Sequence, residues 1–329
     1  MTAAIFVVSL LMIVLASELF TNAIEWAGFR LRLGSGATGS LLAALGTSLP
    51  ETVVPVVALI NGAPDATQVA IGAILGSSFL LLTLGTGFTG LAVALRRTGR
   101  RFDVAPTQVR RDLGTFLAAF SVVIAGVFLP HPVRIVLAVG LVIGYAVYVT
   151  FTLRGGSPEE NMPEPLHLLH YGHGENPHGA FVGLQLAVAV MALIAGAHFF
   201  LDALQNTASS LAVPVIVIAL VVVPVATELP ETLNGVLWVR SGDDGLAFGN
   251  VAGSATFQAC LLGALGLAFT TWNPRGMSLA SAPLTLATAA FTLALMWNGR
   301  ARGALIVLCI VPWVAFVAVA ALTGGKLGS

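Results

Sequence analysis

The sequence predicts an all-α integral membrane protein of ten transmembrane helices, built as two inverted five-helix repeats. Three observations predict it. The 329 residues are 57% hydrophobic and only 9% charged, which is more apolar surface than a water-soluble core of this length would hide. Ten apolar runs are separated by polar or Gly/Pro-marked breaks, and each is near the roughly 20 residues needed to cross a hydrocarbon layer about 30 Å thick. A short proline-glutamate motif also occurs twice, once in each half of the chain.

The first run, 3–27, has no charged segment before it and is interrupted by Glu18 and Glu25, so it reads as a retained helix and not a cleaved signal peptide. The second and third runs span 37–60 and 66–95. The fourth, 112–129, is short, because Pro130-His131-Pro132 leaves little room for the turn into the fifth, 133–153. Residues 154–178 are polar and link the halves. The remaining runs cover 179–204, 211–239, 245–270, 278–298 and 303–323. Asp65, Asp243 and Asp244 stand where caps for the third and eighth helices belong. Gly72, Gly76, Gly249 and Gly253 follow the small-xxx-small spacing that permits close helix packing. Cys260 and Cys309 lie in apolar runs and form no spaced pair.

With ten spans, one side carries Arg30, Arg32, Arg96, Arg97, Arg100, Arg101, Arg110, Arg111, Arg154, Arg240, Arg300 and Arg302, and the other only Arg134, Arg275 and Lys326. Twelve against three is a strong positive-inside bias and predicts that both termini face outward from an inner (plasma) membrane. The zero net charge hides this asymmetry and gives no sign of a nucleic-acid partner.

The halves are related. GTSLPETV at 46–53 reappears as ATELPETL at 226–233, an offset of 180, and IGAILGSSFLLLTLG at 71–85 matches FGNVAGSATFQACLL at 248–262, an offset of 177. Glu18 and Asn22 fall opposite His198 and Asp202. The repeats are therefore 1–153 and 179–329, joined by a cytoplasmic loop at 154–178. Each repeat has five helices, an odd number, so the second enters the membrane from the opposite side. Inversion brings Glu51 and Glu231 towards each other near the midplane, beside Pro50 and Pro230, which remove backbone hydrogen bonds there. A kink with a structurally bonded glutamate would explain one such motif. Two copies at related positions point to a pair of carboxylates with a cation or a proton between them, since an unpaired buried charge costs several kcal/mol.

GTSLPE followed by G-x-x-x-G-S, repeated in the second half, resembles the sodium/calcium exchanger family of the calcium/cation antiporter superfamily, in its prokaryotic ten-helix form. The resemblance covers nearly the whole chain. It implies a Ca2+ site on the second, third, seventh and eighth helices, with Glu51 and Glu231 as central acidic ligands. Thr47 and Thr227 would lend oxygens one turn earlier, Ser77 and Ser254 would add oxygens, and the carbonyls of Ala44 and Pro224 are weaker candidates. Such oxygen ligands suit Na+ and Ca2+. The chain departs from the family pattern in three places. Leu81 and Gln258 stand where it has Asn or Asp, and Glu228 stands where the second motif would repeat the serine seen at Ser48.

The core acid count is thus three: Glu51, Glu228 and Glu231. Glu228 and Glu231 are three apart and share a helix face, where close like charges allow a proton to replace a metal ion. Either Glu228 couples transport to protons, or it points to a polar crevice or a neighbouring hydroxyl. Glu18, Asn22, Glu25, His198 and Asp202 lie at one-turn spacings. They form either wetted faces on two gate-like helices, which in the family slide past the core, or interfacial positions near the helix ends. HLLHYGHGENPH at 167–178 carries His167, His170, His173, Glu175 and His178, without a regular zinc spacing, and reads as a solvated linker.

A passive channel would show a multi-subunit filter signature, and an intramembrane enzyme would need a nucleophile with its base or a metal cluster on helices. No filter signature is visible, one membrane histidine, His198, with scattered serines gives an enzyme little support, and no nucleotide-binding loop or resident cofactor is legible. The expectation is a secondary antiporter exchanging Ca2+ for Na+ by alternating access, needing the lipid bilayer and no protein partner. The alternatives are H+-coupled Ca2+ exchange and monovalent Na+/H+ exchange with Ca2+ selectivity lost.

Overall fold

The computed structural model describes residues 2–30, 48–62, 65–96, 99–153, 164–168, 177–211 and 213–323. Among them the chain is almost wholly helical. The helices are α1 (Thr2–Arg30), α2 (Leu49–Ile60), α3 (Ala66–Leu95), α4 (Pro106–Ala125), α5 (His131–Leu153) and α6 (Gly179–Leu211). They continue with α7 (Val215–Thr227), α8 (Leu229–Ser241), α9 (Asp244–Phe269), α10 (Gly276–Leu295) and α11 (Gly303–Thr323). Eight of these are long and apolar enough to cross a membrane, and α2 and α7 contain shorter apolar stretches, Pro50–Ile60 and Val215–Val225. Thr47, Ala44 and the first part of the run at 37–60 lie outside the described residues, as do His170, His173 and Glu175.

Two departures from the expected spans have local causes. The fourth helix begins at Pro106, six residues before the predicted start, with the proline in its first turn, where a missing N–H costs nothing. Arg110 and Arg111 therefore sit inside the helix. The seventh run is broken at Glu228, which closes α7 and opens α8 with φ −89° and ψ −1°. Pro230 follows at the start of α8, and it removes a donor that a continuous helix would need.

The protein-enclosed centre is α3 and α9: 94% of the apolar window of α3 and 78% of that of α9 are buried, against 17–39% in the other spans. Helices α2, α7, α8, α10 and α11 pack on α3, while α4, α5 and α8 pack on α9. Helices α1 and α6 lie along each other outside this group and reach it through α2 and α7. Gly72 and Gly76 make the α3–α7 approach possible. A Cβ at Gly72 would stand 2.7 Å from that of Ala219, and one at Gly76 would run into the carbonyl oxygen of Leu220. Gly249 and Gly253 instead meet, among the described residues, the Gln108 amide and the Tyr148 hydroxyl. Both central helices contain one π-helical turn, Leu81–Gly85 in α3 and Gln258–Leu262 in α9, starting 177 residues apart.

An element not expected from the sequence is a two-stranded antiparallel sheet, β1 (Arg101–Asp103) with β2 (Arg300–Arg302), which ties the α3–α4 connection to the α10–α11 connection. Phe102 and Ala301 point inward and are buried. Asp103 faces Arg300, and their ion pair of 2.9 Å is exposed. The hydrogen bond from this guanidinium holds the Asp103 carboxyl below the usual range. Beside the sheet, Arg96 grips both oxygens of Asp244, the second at 2.9 Å, and the Asp103 amide donates to the same carboxylate at 2.8 Å. Asp244 is thus committed to an ion pair, and neither Asp65 nor Asp243 makes a side-chain capping bond. Asp65 accepts from the Gln68 amide and Asp243 from the Ser241 hydroxyl.

Part of the 154–178 loop is docked, where a solvated linker was expected. Leu166 is fully buried against Ala23, Trp26 and Val182. Asn22 and Trp26 both donate to the Glu164 carbonyl, at 3.1 and 2.8 Å. The amides of His167 and Leu168 donate to the side-chain oxygens of Asn22 and Gln185.

Candidate functional site

Helix α2 supplies Glu51 in its first turn, one turn after the buried N-cap residue Ser48. The α7–α8 break supplies Glu228 and Glu231. One carboxylate oxygen from each of the three glutamates lies within 4.8 Å of the others, and all three side chains are buried. The sequence put Glu228 and Glu231 on one face of a continuous helix. The structure brings them together differently, with Glu228 at the junction and Glu231 in the first turn beyond it.

The surrounding polar groups come from the elements the sequence pointed to. Thr227 lies beside Glu51, and Ser77 of α3 lies beside Glu228. Gln258, the first residue of the π-helical turn of α9, donates from Nε2 to Oε1 of Glu228 at 2.7 Å. Ser254 is buried one turn earlier on the same helix. Leu81, at the matching place in α3, is buried and contributes no polar atom. The Pro224 carbonyl accepts from the Glu228 amide at 2.9 Å. Both carboxylate oxygens of Glu51, Oε2 of Glu228, and the hydroxyls of Ser48, Ser77 and Ser78 have no hydrogen-bond partner among the described residues.

Buried oxygens left this way are costly unless something polar joins them. Close carboxylates in a low-dielectric site repel strongly, so the arrangement is suited to a cation or a proton. The hydroxyls and amide oxygen around it extend the set of hard oxygen donors.

Two contributors escaped the sequence reading. Asn250 of α9 donates from Nδ2 to the Glu231 carbonyl at 2.7 Å. Its signal was the mismatch with Ala73 at the matching place of the first repeat. Pro55, inside α2, has no N–H for the carbonyl four residues back, which is that of Glu51.

The polar face expected on the first helix divides. Asn22 is buried and bonded to the loop and to Gln185, whereas Glu18, with Leu15, Glu164 and His167, lines a cavity of about 610 Å³. His198 and Asp202 on α6 are exposed.

Comparison with known proteins gives the same fold. A solved structure of the H+/Ca2+ exchanger CAX aligns with a TM-score of 0.75 over 98% of this chain and 85% of that one, at 19% identity. The sodium-calcium exchanger NCX_Mj aligns with a TM-score of 0.61 over 96% and 97%, also at 19% identity. Inner membrane protein YrbG of Escherichia coli is 23% identical, covering 96% of this chain and 97% of that protein. The family model described as sodium/calcium exchanger protein matches residues 1–154 and 181–322. This chain, with its three buried glutamates gathered at the start of α2 and the break between α7 and α8, belongs to the sodium/calcium exchanger family.

Proposed function

We propose that the protein is a secondary active antiporter that exchanges Ca2+ for Na+ by alternating access at the Glu51, Glu228 and Glu231 site. The observation that carries this reading is the convergence of three buried carboxylates within 4.8 Å. Ca2+ takes six to eight oxygens at roughly 2.3–2.6 Å, and the carboxylates with Thr227, Ser77, Ser254 and the oxygens of Ser48 and Gln258 are the residues we assign to it, with Thr47 completing the set. Na+ would occupy overlapping positions. Competition for one site couples the two fluxes, since an empty site with several negative charges is costly to carry between membrane faces.

The site lies between matching elements of two inverted repeats, 1–153 and 179–329, joined by residues 154–178. The π-helical turns 177 residues apart support this reading, because that spacing is the sequence offset of the same two helices. Ten spans with both termini outward are supported by the arginine asymmetry, and an inner-membrane location by the name of the Escherichia coli relative.

A second reading, H+ in place of Na+, is favoured by one observation. Glu228 is a third acid whose one oxygen is held by an amide, Gln258, at 2.7 Å, so the cluster can take up a proton without losing its geometry. The test is radiolabelled Ca2+ uptake into proteoliposomes loaded with Na+, compared with uptake under a proton gradient in Na+-free buffer. Each is repeated with Glu51→Gln, Glu231→Gln and Glu228→Ser. Na+-dependent uptake that survives Glu228→Ser with a weakened apparent Ca2+ affinity and is abolished by the other two changes is the expected result. Proton-driven uptake lost in Glu228→Ser assigns the coupling to that residue. Absence of Ca2+ flux under both gradients overturns Ca2+ as the substrate and leaves monovalent Na+/H+ exchange.

A further inference from the structure

The two-stranded sheet carries a charge arrangement that is not part of the proposed transport site. Its register places Arg101 directly opposite Arg302, both exposed and on the same face as each other. Like charges directly opposite on paired strands are destabilising, and here the pairing persists. Three neighbouring arginines are provided for, whereas Arg100, also exposed, has no side-chain hydrogen bond or ion pair among the described residues. Arg300 takes Asp103, Arg96 takes Asp244, and Arg110 donates to the Trp297 carbonyl while its guanidinium lies 4.8 Å from the Trp297 ring. Arg101 and Arg302 have no side-chain hydrogen bond or ion pair among the described residues.

The position of the sheet fixes what could lie against this pair. It is pinned to the ends of four spans. The Gly303 amide, at the start of α11, donates to the Arg100 carbonyl at 3.0 Å, and the Val104 amide, just before α4, donates to the Gly299 carbonyl at 2.9 Å. Leu95 and Leu295 end α3 and α10 a few residues away. Trp297, half exposed beside the strand, is the residue type that settles at the headgroup level. The two guanidiniums are therefore held at the polar boundary of the bilayer, where phosphates are the abundant anions.

We infer that Arg101 and Arg302 together bind the phosphate of a negatively charged phospholipid headgroup, which completes the contact between the α3–α4 and α10–α11 connections. Planar guanidiniums suit bidentate phosphate binding, and the neutralised pair removes the repulsion across the strands. The bland alternative is a solvated pair that serves only the charge bias of this side.

Thermal unfolding of the purified protein in neutral detergent separates the two. Phosphatidylglycerol is added to the wild type, to R101Q/R302Q and to R101K/R302K, with phosphatidylcholine and inorganic phosphate as parallel additions. Phosphatidylglycerol is expected to raise the melting temperature of the wild type above the value in phosphatidylcholine. R101Q/R302Q should lose more than half of that increment, and R101K/R302K should keep part of it. If R101Q/R302Q does not fold, R302Q takes its place. The proposal is overturned if the glutamine variant keeps half or more of the increment, if inorganic phosphate reproduces it, or if the wild type responds equally to both lipids.

Discussion

The side-chain amide of Gln258 donates a 2.7 Å hydrogen bond to Oε1 of Glu228, joining the π-helical turn of α9 to the break between α7 and α8. In the proposed transport cycle this bond holds the third carboxylate toward the other two. Gln258→Leu leaves a buried oxygen without its donor, a loss of about 1–3 kcal/mol. The expected outcome is an apparent Ca2+ affinity weakened about tenfold or more, measured as the concentration dependence of uptake. Unchanged affinity would show that Glu228 is oriented by other groups.

Close approach of α3 to α7 rests on two glycines. Gly76→Ala drives a methyl group into the Leu220 carbonyl and to 2.7 Å from Cγ of Pro224, so it should destabilise the protein by about 1–3 kcal/mol and impair transport. Gly140→Ala is the control, because a Cβ there meets nothing within 4 Å. Thermal unfolding of the two variants side by side tests the difference.

The docked segment 164–168 depends on Asn22, which contacts Glu164, His167 and Gln185. Asn22→Ala should speed deuterium uptake in this segment and cost about 1–3 kcal/mol through the polar groups it abandons. Uptake that stays at the wild-type rate would mean that Leu166 and Trp26 hold the segment without it.

Arg96 and Arg300 provide a matched contrast. The Arg96–Asp244 pair is 13% and 5% exposed, the Arg300–Asp103 pair 66% and 62%. Removing one partner of the enclosed pair by Arg96→Gln should cost about 3 kcal/mol. Arg300→Gln should change the melting temperature little, because solvent and salt screen exposed pairs. Its effect belongs to the titration of Asp103, whose carboxyl is held low by Arg300. A depressed folded-state pKa contributes stability above the unfolded value that is lost as pH falls through the folded one. Arg300→Gln should therefore move the Asp103 transition upward, toward the ordinary carboxyl range, as read by carboxyl NMR.

Much of this was written in the sequence. Glu51, Glu228, Glu231, Thr227, Ser77 and Gln258 were legible because apolar runs make polar residues conspicuous, and the structure gathers them. Asn250 and Pro55 were not, since each acts on a backbone carbonyl, and such contacts depend on where a helix is broken. The sheet was illegible because three-residue strands leave too short a pattern for any period to register, and its alternation is visible only once Phe102 and Ala301 are seen buried. The burial of Asn22, read as part of either a wetted face or an interfacial position, was not legible because its partners come from residues 164–168 and 185, over 140 positions away.

The π-helical turns of α3 and α9 have a consequence for protein engineering. Such a turn is an α-helix with one additional residue, so the stretches before and after it are out of phase by about 100°. Deleting a single residue from Gln258–Leu262 would restore an unbroken α-helix and swing Gln258, or everything beyond it, to another face. The two ends of α9 would then no longer satisfy Glu228 and the α5 interface at once. One codon removed from this turn is therefore a more severe lesion than most substitutions within it.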